Sequence, residues 1–232
     1  MKKIFVVLSL ITITLSSCAT SSRITKATAY KGMYEQKPVS VLLMPPINKS
    51  NNVDSKEYFH STLYTPIANA GYYVIPPFMS MEILKKESAY DAELFLNGSL
   101  AKFGEVFGAD LAVFTIIHEW KKHKLGGNVY VKVEYIIKST RTNEVLYTRI
   151  GNVTYNTSIS SSGGGLMGAL VSLAATAINT AATKYVSVAR ACNEYTFGDL
   201  PAGKYSPYNK VDGTQMSGKK EFSVNLNSNS TY

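Results

Sequence analysis

The chain has 232 residues, a formal net charge of +8 and 45% hydrophobic residues. That length and apolar content suit one or two packed domains and exclude a disordered chain. Two cysteines cannot supply a disulfide-dense secreted scaffold, and no Cys or Cys/His spacing indicates structural zinc, so the core must come from packing.

Met1-Lys2-Lys3 is a basic start, and Ile4 to Leu15 is an apolar run too short to span a bilayer, which needs about 20 residues; together they read as a signal peptide over residues 1–17. Leu15-Ser16-Ser17-Cys18 resembles the lipobox of bacterial lipoproteins. Small residues admit a peptidase to the bond before Cys18, whose thiol takes up diacylglycerol; the bland alternative is an ordinary signal peptide with an incidental cysteine. Cleavage removes Lys2 and Lys3 and leaves a mature charge of +6. Acyl chains on Cys18 give stable anchoring, so the rest of the protein need not enter the bilayer. Ala19, in place of the Asp that resembles an inner-membrane retention signal, favours the outer membrane. Cys192 is then the remaining thiol and reads as a small buried hydrophobe, with an intermolecular disulfide as the alternative.

Residues 18–37 are polar with no sustained apolar period and read as the lipidated cysteine and a flexible tether. Val39 to Met44 is a buried strand stopped by Pro45-Pro46. Asp54-x-x-Glu57 resembles a capping box, and Phe59, Leu63, Ile67 and Ala70 share one helix face closed by Gly71, with a kink or restart expected at Pro66. Tyr72 to Ile75 is a second strand ended by prolines, followed by a short helix through Met81, Leu84 and Lys85. Another helix carries Leu100, Phe103, Val106 and Phe107 and stops at Gly108. Leu111 to Ile117 is apolar almost throughout, the pattern of a strand covered on both faces. Val129, Val131, Val133, Tyr135 and Ile137 then alternate with polar residues, and a turn near Thr140 to Asn143 leads into Val145 to Asn156, an antiparallel hairpin with one solvated face.

Gly151 to Thr183 carries no charge; Ser158 to Gly165 reads as flexible and Leu166 to Val188 as one alanine-rich helix, too diluted by Ser172, Thr176 and Thr180 to favour a membrane span. Gly168, Ser172, Thr176 and Thr180 recur at every fourth position and permit close approach of the protein's own sheet or of a second copy. Residues 207–232 read as a polar, mobile tail, which leaves 38–206 as the folded domain. The order of elements predicts an α/β fold leaning to α+β, with a single mixed sheet, helices packed on it and a long C-terminal helix.

Several stretches, taken together, resemble a family of bacterial lipoproteins without an assigned function, the one that includes a meningococcal lipoprotein antigen. They include Val41 to Asn48, Glu57 to Thr62, Gly71 to Pro76, Phe107 to Asp110, His118 to Trp120, Gly164 to Val171 and Leu200 to Gly203, within about residues 38 to 208. The resemblance implies a fold similar to the TolB amino-terminal domain and the curli-secretion lipoprotein, and a role in envelope transport or assembly. Asn143 stands where related folds often carry Gly, which is tolerable because Asn also enters the left-handed region.

No reaction is announced. Gly163 to Gly168 matches GxGxxG, but no acid lies about 20 residues onward and the segment follows a hairpin, so a dinucleotide site is not supported and no cofactor is expected. His118-Glu119-x-x-x-His123 has one residue too many for a zinc helix motif, and His60 is isolated, so neither metal nor catalytic residues are assigned. Lys121 to Lys124 is a basic cluster that could meet lipid phosphates, or simply be solvated. Nucleic acid is disfavoured by compartment. The expectation is a non-catalytic outer-membrane lipoprotein facing the periplasm, a subunit or adaptor of an envelope complex, with other envelope lipoproteins or transport components and a homo-oligomer as partners; the alternative is a periplasmic ligand-binding module. A tyrosine-lined pocket would favour the second and an exposed apolar or small-residue helix the first.

Overall fold

The computed structural model describes residues 24–123, 127–157 and 181–227. Two short helices, α1 (Lys26–Ala29) and α2 (Lys31–Gln36), precede β1 (Ser40–Leu43) and β2 (Ile47–Asn48). Then come α3 (Ser55–Asn69), β3 (Tyr73–Val74), α4 (Pro77–Lys86), α5 (Ala101–Phe107) and β4 (Leu111–Lys122). The hairpin of β5 (Asn128–Ser139) and β6 (Val145–Asn156) follows, then α6 (Ala181–Phe197) and β7 (Glu221–Asn227), with short 3-10 turns at Ala92–Phe95 and Asp212–Thr214. One mixed sheet runs β3-β1-β4-β5-β6-β7, with β2 also on β4, as the α/β expectation required.

The sheet's two halves follow from their sequences. β1, β2 and β3 join the β4 side in parallel, and the central strand is buried at every position from Leu111 to Ile117. Pro45-Pro46 interrupts the ladder without ending it, because neither proline can donate, and pairing with β4 resumes at Ile47 opposite Ile116. One face carries α3 and α6, burying Phe59, Leu63, Ile67, Val188 and Cys192. The other face carries the second core, built on Leu42, Leu84, Leu100, Phe103 and Phe114. β5 alternates as expected, with Val129, Val131, Val133, Tyr135 and Ile137 buried and the residues between them half-buried, because helices cover only one face of the antiparallel half. At its turn Asn143 takes φ 62°, the left-handed conformation.

Several expectations need correction. Residues 26–36 do not form a tether: they fold as α1 and α2 and put Tyr30 and Met33 into the core, two apolar residues too few to give a visible period. Glu221 to Asn227 are no mobile tail, since as β7 they add in parallel to β6 and bury Phe222 and Leu226. Described, folded residues therefore lie beyond both ends of the expected 38–206. Helix α3 continues through Pro66 with no restart, Thr62 instead turning its hydroxyl to the Tyr58 carbonyl at 2.8 Å. Its Asp54 makes no capping bond to the helix; the Ser55 hydroxyl donates to the Asn52 carbonyl at 2.7 Å and closes the turn there. The long C-terminal helix is described from Ala181 to Phe197, so it continues past Val188, while residues 166–180 lie outside the described residues. Among the described residues no helix is long and apolar enough to cross a membrane.

Candidate functional site

Cys18 and the Gly168, Ser172, Thr176 and Thr180 stripe lie outside the described residues, as does the GxGxxG segment. The histidines are described and serve local purposes. His118 Nε2 meets Glu134 Oε2 at 2.9 Å across β4 and β5, beside a bulge between Ile117 and Glu119. His123 is exposed at the end of the same strand, and its backbone N–H donates to the Asn128 carbonyl. Burial lowers the pKa of His60, whose Nε2 is buried without a partner. Among the described residues no group of three His, Cys, Asp or Glu side chains is placed to hold a metal. The basic cluster is partly engaged at home: Lys121 pairs with Glu119 at 2.8 Å and Lys122 Nζ stands 3.9 Å over the Tyr185 ring. Cys192 is fully buried, and burial pushes its thiol pKa up, away from reactivity.

Two clefts flank the point where α1 meets the segment after α6. Thr25 bridges Met216, the Lys26 N–H donates to the Gln215 carbonyl at 2.8 Å, and the Ser217 N–H donates to the Ile24 carbonyl at 2.9 Å. On one side Lys26, Asp212, Gln215 and Tyr208 line a cleft of about 730 Å³. Lys26 and Asp212 are both buried there, with Nζ 4.0 Å from Oδ2, and that Oδ2 also accepts the Ala202 N–H at 2.8 Å. On the other side Ile24, Met216, Tyr30, Tyr147, Lys219 and Lys220 line a cleft of about 990 Å³.

The tyrosines of the second cleft are committed to the protein's own acceptors. Tyr30 donates to Asp199, and Tyr147 donates to the Thr196 carbonyl at 2.7 Å. Burial, then the Tyr147 phenol and the Asp199 carboxylate, raises the Tyr30 pKa. Arg149, only 3% exposed, donates to the carbonyls of Thr196 at 2.8 Å and Lys219 at 3.1 Å and lies 4.5 Å from the centre of the Phe222 ring. Sequence reading missed this junction. Its residues are scattered from Ile24 to Phe222 with no common period; the alternation of Phe222, Val224 and Leu226 with Ser223, Asn225 and Asn227 was the one available signal.

A different surface stands open on the other face of the sheet. Helix α4 buries Ser80 and Leu84, and its outward side carries Phe78 at 79% exposure, Met79 at 62% and Ile83 at 38%. Large apolar side chains exposed at neighbouring helix positions are costly to leave uncovered and mark an interaction face. The helix ends in Lys85 and Lys86, with Lys85 paired to Glu82 at 3.1 Å.

Comparison with known proteins adds the following. A curated relative, "Putative lipoprotein NMB1124/NMB1162" from Neisseria meningitidis serogroup B, is 27% identical over 145 residues, which are 62% of this chain and 66% of that one. The chain thus spans just under two thirds of that relative's length. Among solved structures, the lipoprotein GNA1162 from Neisseria meningitidis is 24% identical with a TM-score of 0.47, over 61% of this chain and 98% of that one. The PelC dodecamer from Paraburkholderia phytofirmans is 15% identical with a TM-score of 0.39, over 72% and 91% of the two chains. The LpoB C-terminal domain from Escherichia coli is 11% identical with a TM-score of 0.37, over 54% and 95%. The family model described as "Putative lipoprotein GNA1162-like" matches residues 28–199, most of the folded body, and the chain belongs to that lipoprotein family.

Proposed function

We propose that this chain is a lipoprotein held in the outer membrane through acylated Cys18, facing the periplasm, and that it works without catalysis as a subunit or adaptor of an envelope transport or assembly complex. The Leu15-Ser16-Ser17-Cys18 lipobox, Ala19 after it and the lipoprotein family support the anchor and its membrane. The observation that carries the adaptor role is the outward face of α4, where Phe78, Met79 and Ile83 stand exposed together on one helix. The Gly168, Ser172, Thr176 and Thr180 stripe is a second interaction face in this reading, toward another copy. The ligand-binding alternative loses its main support, because the hydroxyls of Tyr30 and Tyr147 in the larger cleft already donate within the protein.

The test places a photoreactive side chain at Phe78, Met79 or Ile83, and at the exposed control Val145, in the full lipoprotein in intact cells. A discrete heterologous adduct from the α4 positions and none from Val145 supports the adaptor role. Absence of any adduct at α4, with the protein correctly lipidated, overturns it.

A further inference from the structure

The tether is short. Between Cys18 and Ile24, the first described residue, the chain advances six positions, which reach at most about 20 Å when fully extended. Whatever surface surrounds Ile24 is therefore held within that distance of the bilayer if Cys18 carries the lipid.

Ile24 is 46% exposed and its bridge neighbour Met216 is 56% exposed. Tyr208 and Val211, one turn before the buried Asp212 that anchors this segment to Lys26, are also exposed, at 62% and 63%. Lys219 and Lys220 share the larger cleft with Ile24 and Met216, and Lys204 and Lys210 lie exposed on the same return segment. From Leu200 to Lys220 four lysines are exposed and the single acid, Asp212, is buried against Lys26; of the carboxylates that flank the stretch, Asp199 is half-buried in the larger cleft, engaged by the Tyr30 hydroxyl and the Gly218 N–H, and Glu221 is exposed at the start of β7. Apolar and tyrosine side chains interleaved with lysines match an interface with anionic headgroups: the rings and aliphatic chains reach the acyl boundary while the ammonium groups stay with the phosphates.

We propose that the surface around the Thr25–Met216 bridge is a lipid-docking face, which the protein lays on the inner surface of the bilayer that holds its anchor. The occupant is a membrane of anionic and zwitterionic phospholipid. This rests on the reading of Cys18 as the lipidated residue. The geometry sets an orientation: the return segment faces the lipid, and α4, on the opposite face of the sheet, is left free.

The experiment uses the full lipidated protein, reconstituted in phosphatidylethanolamine and phosphatidylglycerol vesicles that carry brominated acyl chains. Met216→Cys, Val211→Cys and, as the remote control, Phe78→Cys each receive an environment-sensitive fluorophore; Cys18 is blocked by lipid and Cys192 is buried. Quenching several-fold greater at 216 and 211 than at 78, and reduced by Lys219→Gln with Lys220→Gln, is the expected result. Equal quenching at all three sites, or none at 216 and 211, overturns the orientation. So does shielding of the 216 probe by protein alone in detergent, which would assign the face to a second copy. Mass spectrometry of the same sample separates the two readings: lipid on Cys18 with an unquenched 216 site refutes the docking face alone, and an unlipidated Cys18 refutes the anchor and the docking face together.

Discussion

The Tyr135 hydroxyl donates to Asn193 Oδ1 at 2.6 Å, and both side chains are fully buried. The Asn193 amide nitrogen donates in turn to the Phe59 carbonyl at 3.1 Å and to Thr62 Oγ1 at 2.8 Å, so one polar side chain ties β5, α6 and α3 together inside an otherwise apolar layer. Removing one partner strands the others without water, at about 1–3 kcal/mol for each buried group left unsatisfied. We expect Asn193→Leu to destabilise by roughly 2–3 kcal/mol and Tyr135→Phe by roughly 1–2 kcal/mol. The double variant should lose less than the sum, because no hydroxyl is then left stranded. Urea unfolding of the four proteins checks this; additive losses would mean the bond contributes nothing of its own.

The stretches by which the sequence resembles its family explain themselves in the structure as joints of the fold. Gly108 closes α5 at φ 64°, and Asp110 two residues on accepts the N–H groups of Val39 and Ser40 at 2.8 and 3.0 Å, setting the register of β1 on β4. Tyr72 reaches from the β3 region to the Pro201 carbonyl at 2.8 Å, joining two stretches separated by 129 positions. The elements themselves were legible wherever burial imposed a period, as in β5 or the Phe59, Leu63 and Ile67 face of α3. What stayed hidden were partners chosen by three-dimensional proximity, such as Arg149 with the Thr196 and Lys219 carbonyls, and short helices such as α1 and α2. Their one or two buried residues leave no repeat. The exposed face of α4 was equally hidden: the helix was legible through Met81, Leu84 and Lys85, but that pattern does not say that Phe78, Met79 and Ile83 stay outside.

His60 gives a pH dependence with a definite sign. Burial disfavours its charged form and Lys85 adds to that, while Glu57 opposes, so the folded pKa lies below the ordinary 6.5. As pH falls through 6.5 the unfolded chain takes the proton first, so stability is full above about 6.5 and declines below it. His60→Gln should flatten that part of the curve between pH 7 and the folded pKa and leave stability at pH 8 little changed. Chemical denaturation at several pH values, as the difference between wild type and variant, isolates the histidine from the carboxylates. Parallel curves would show that it is protonated equally in both states.

Gly203 tests how tightly the return segment is seated. A Cβ there would stand 2.4 Å from the Gly71 carbonyl oxygen, and the Gly203 N–H already donates to the Ala70 carbonyl at 2.8 Å, so neither backbone can withdraw freely. Gly203→Ala is expected to cost at least the roughly 1–3 kcal/mol of an overpacked contact, because the obstacle is backbone and not the end of a side chain. Gly108→Ala makes a useful contrast: its Cβ would meet nothing within 4 Å, and only the left-handed φ is penalised. Melting temperatures should place Gly203→Ala well below Gly108→Ala, and the reverse order would contradict the seating of this segment.

The last strand is expected to matter more than its polar composition indicates. Phe222 lies on Gly151, where an added Cβ would come within 2.5 Å of the ring, and the same ring covers the buried Arg149 guanidinium at 4.5 Å. Truncating Phe222→Ala removes that cover and opens a cavity, a change that costs about 3–5 kcal/mol for a buried Phe. Ser223→Ala, on the exposed side of β7, should stay within about 0.5 kcal/mol of wild type. Deleting the chain from Glu221 onward goes further, because it uncovers the edge of β6 from Ile150 to Asn156, with open N–H and C=O groups that invite pairing between molecules. We expect that truncated protein to melt early and to aggregate on concentration, measured by thermal unfolding and light scattering. Wild-type melting and monodispersity after the deletion would show that β7 is an accessory strand and that β6 is protected by something else.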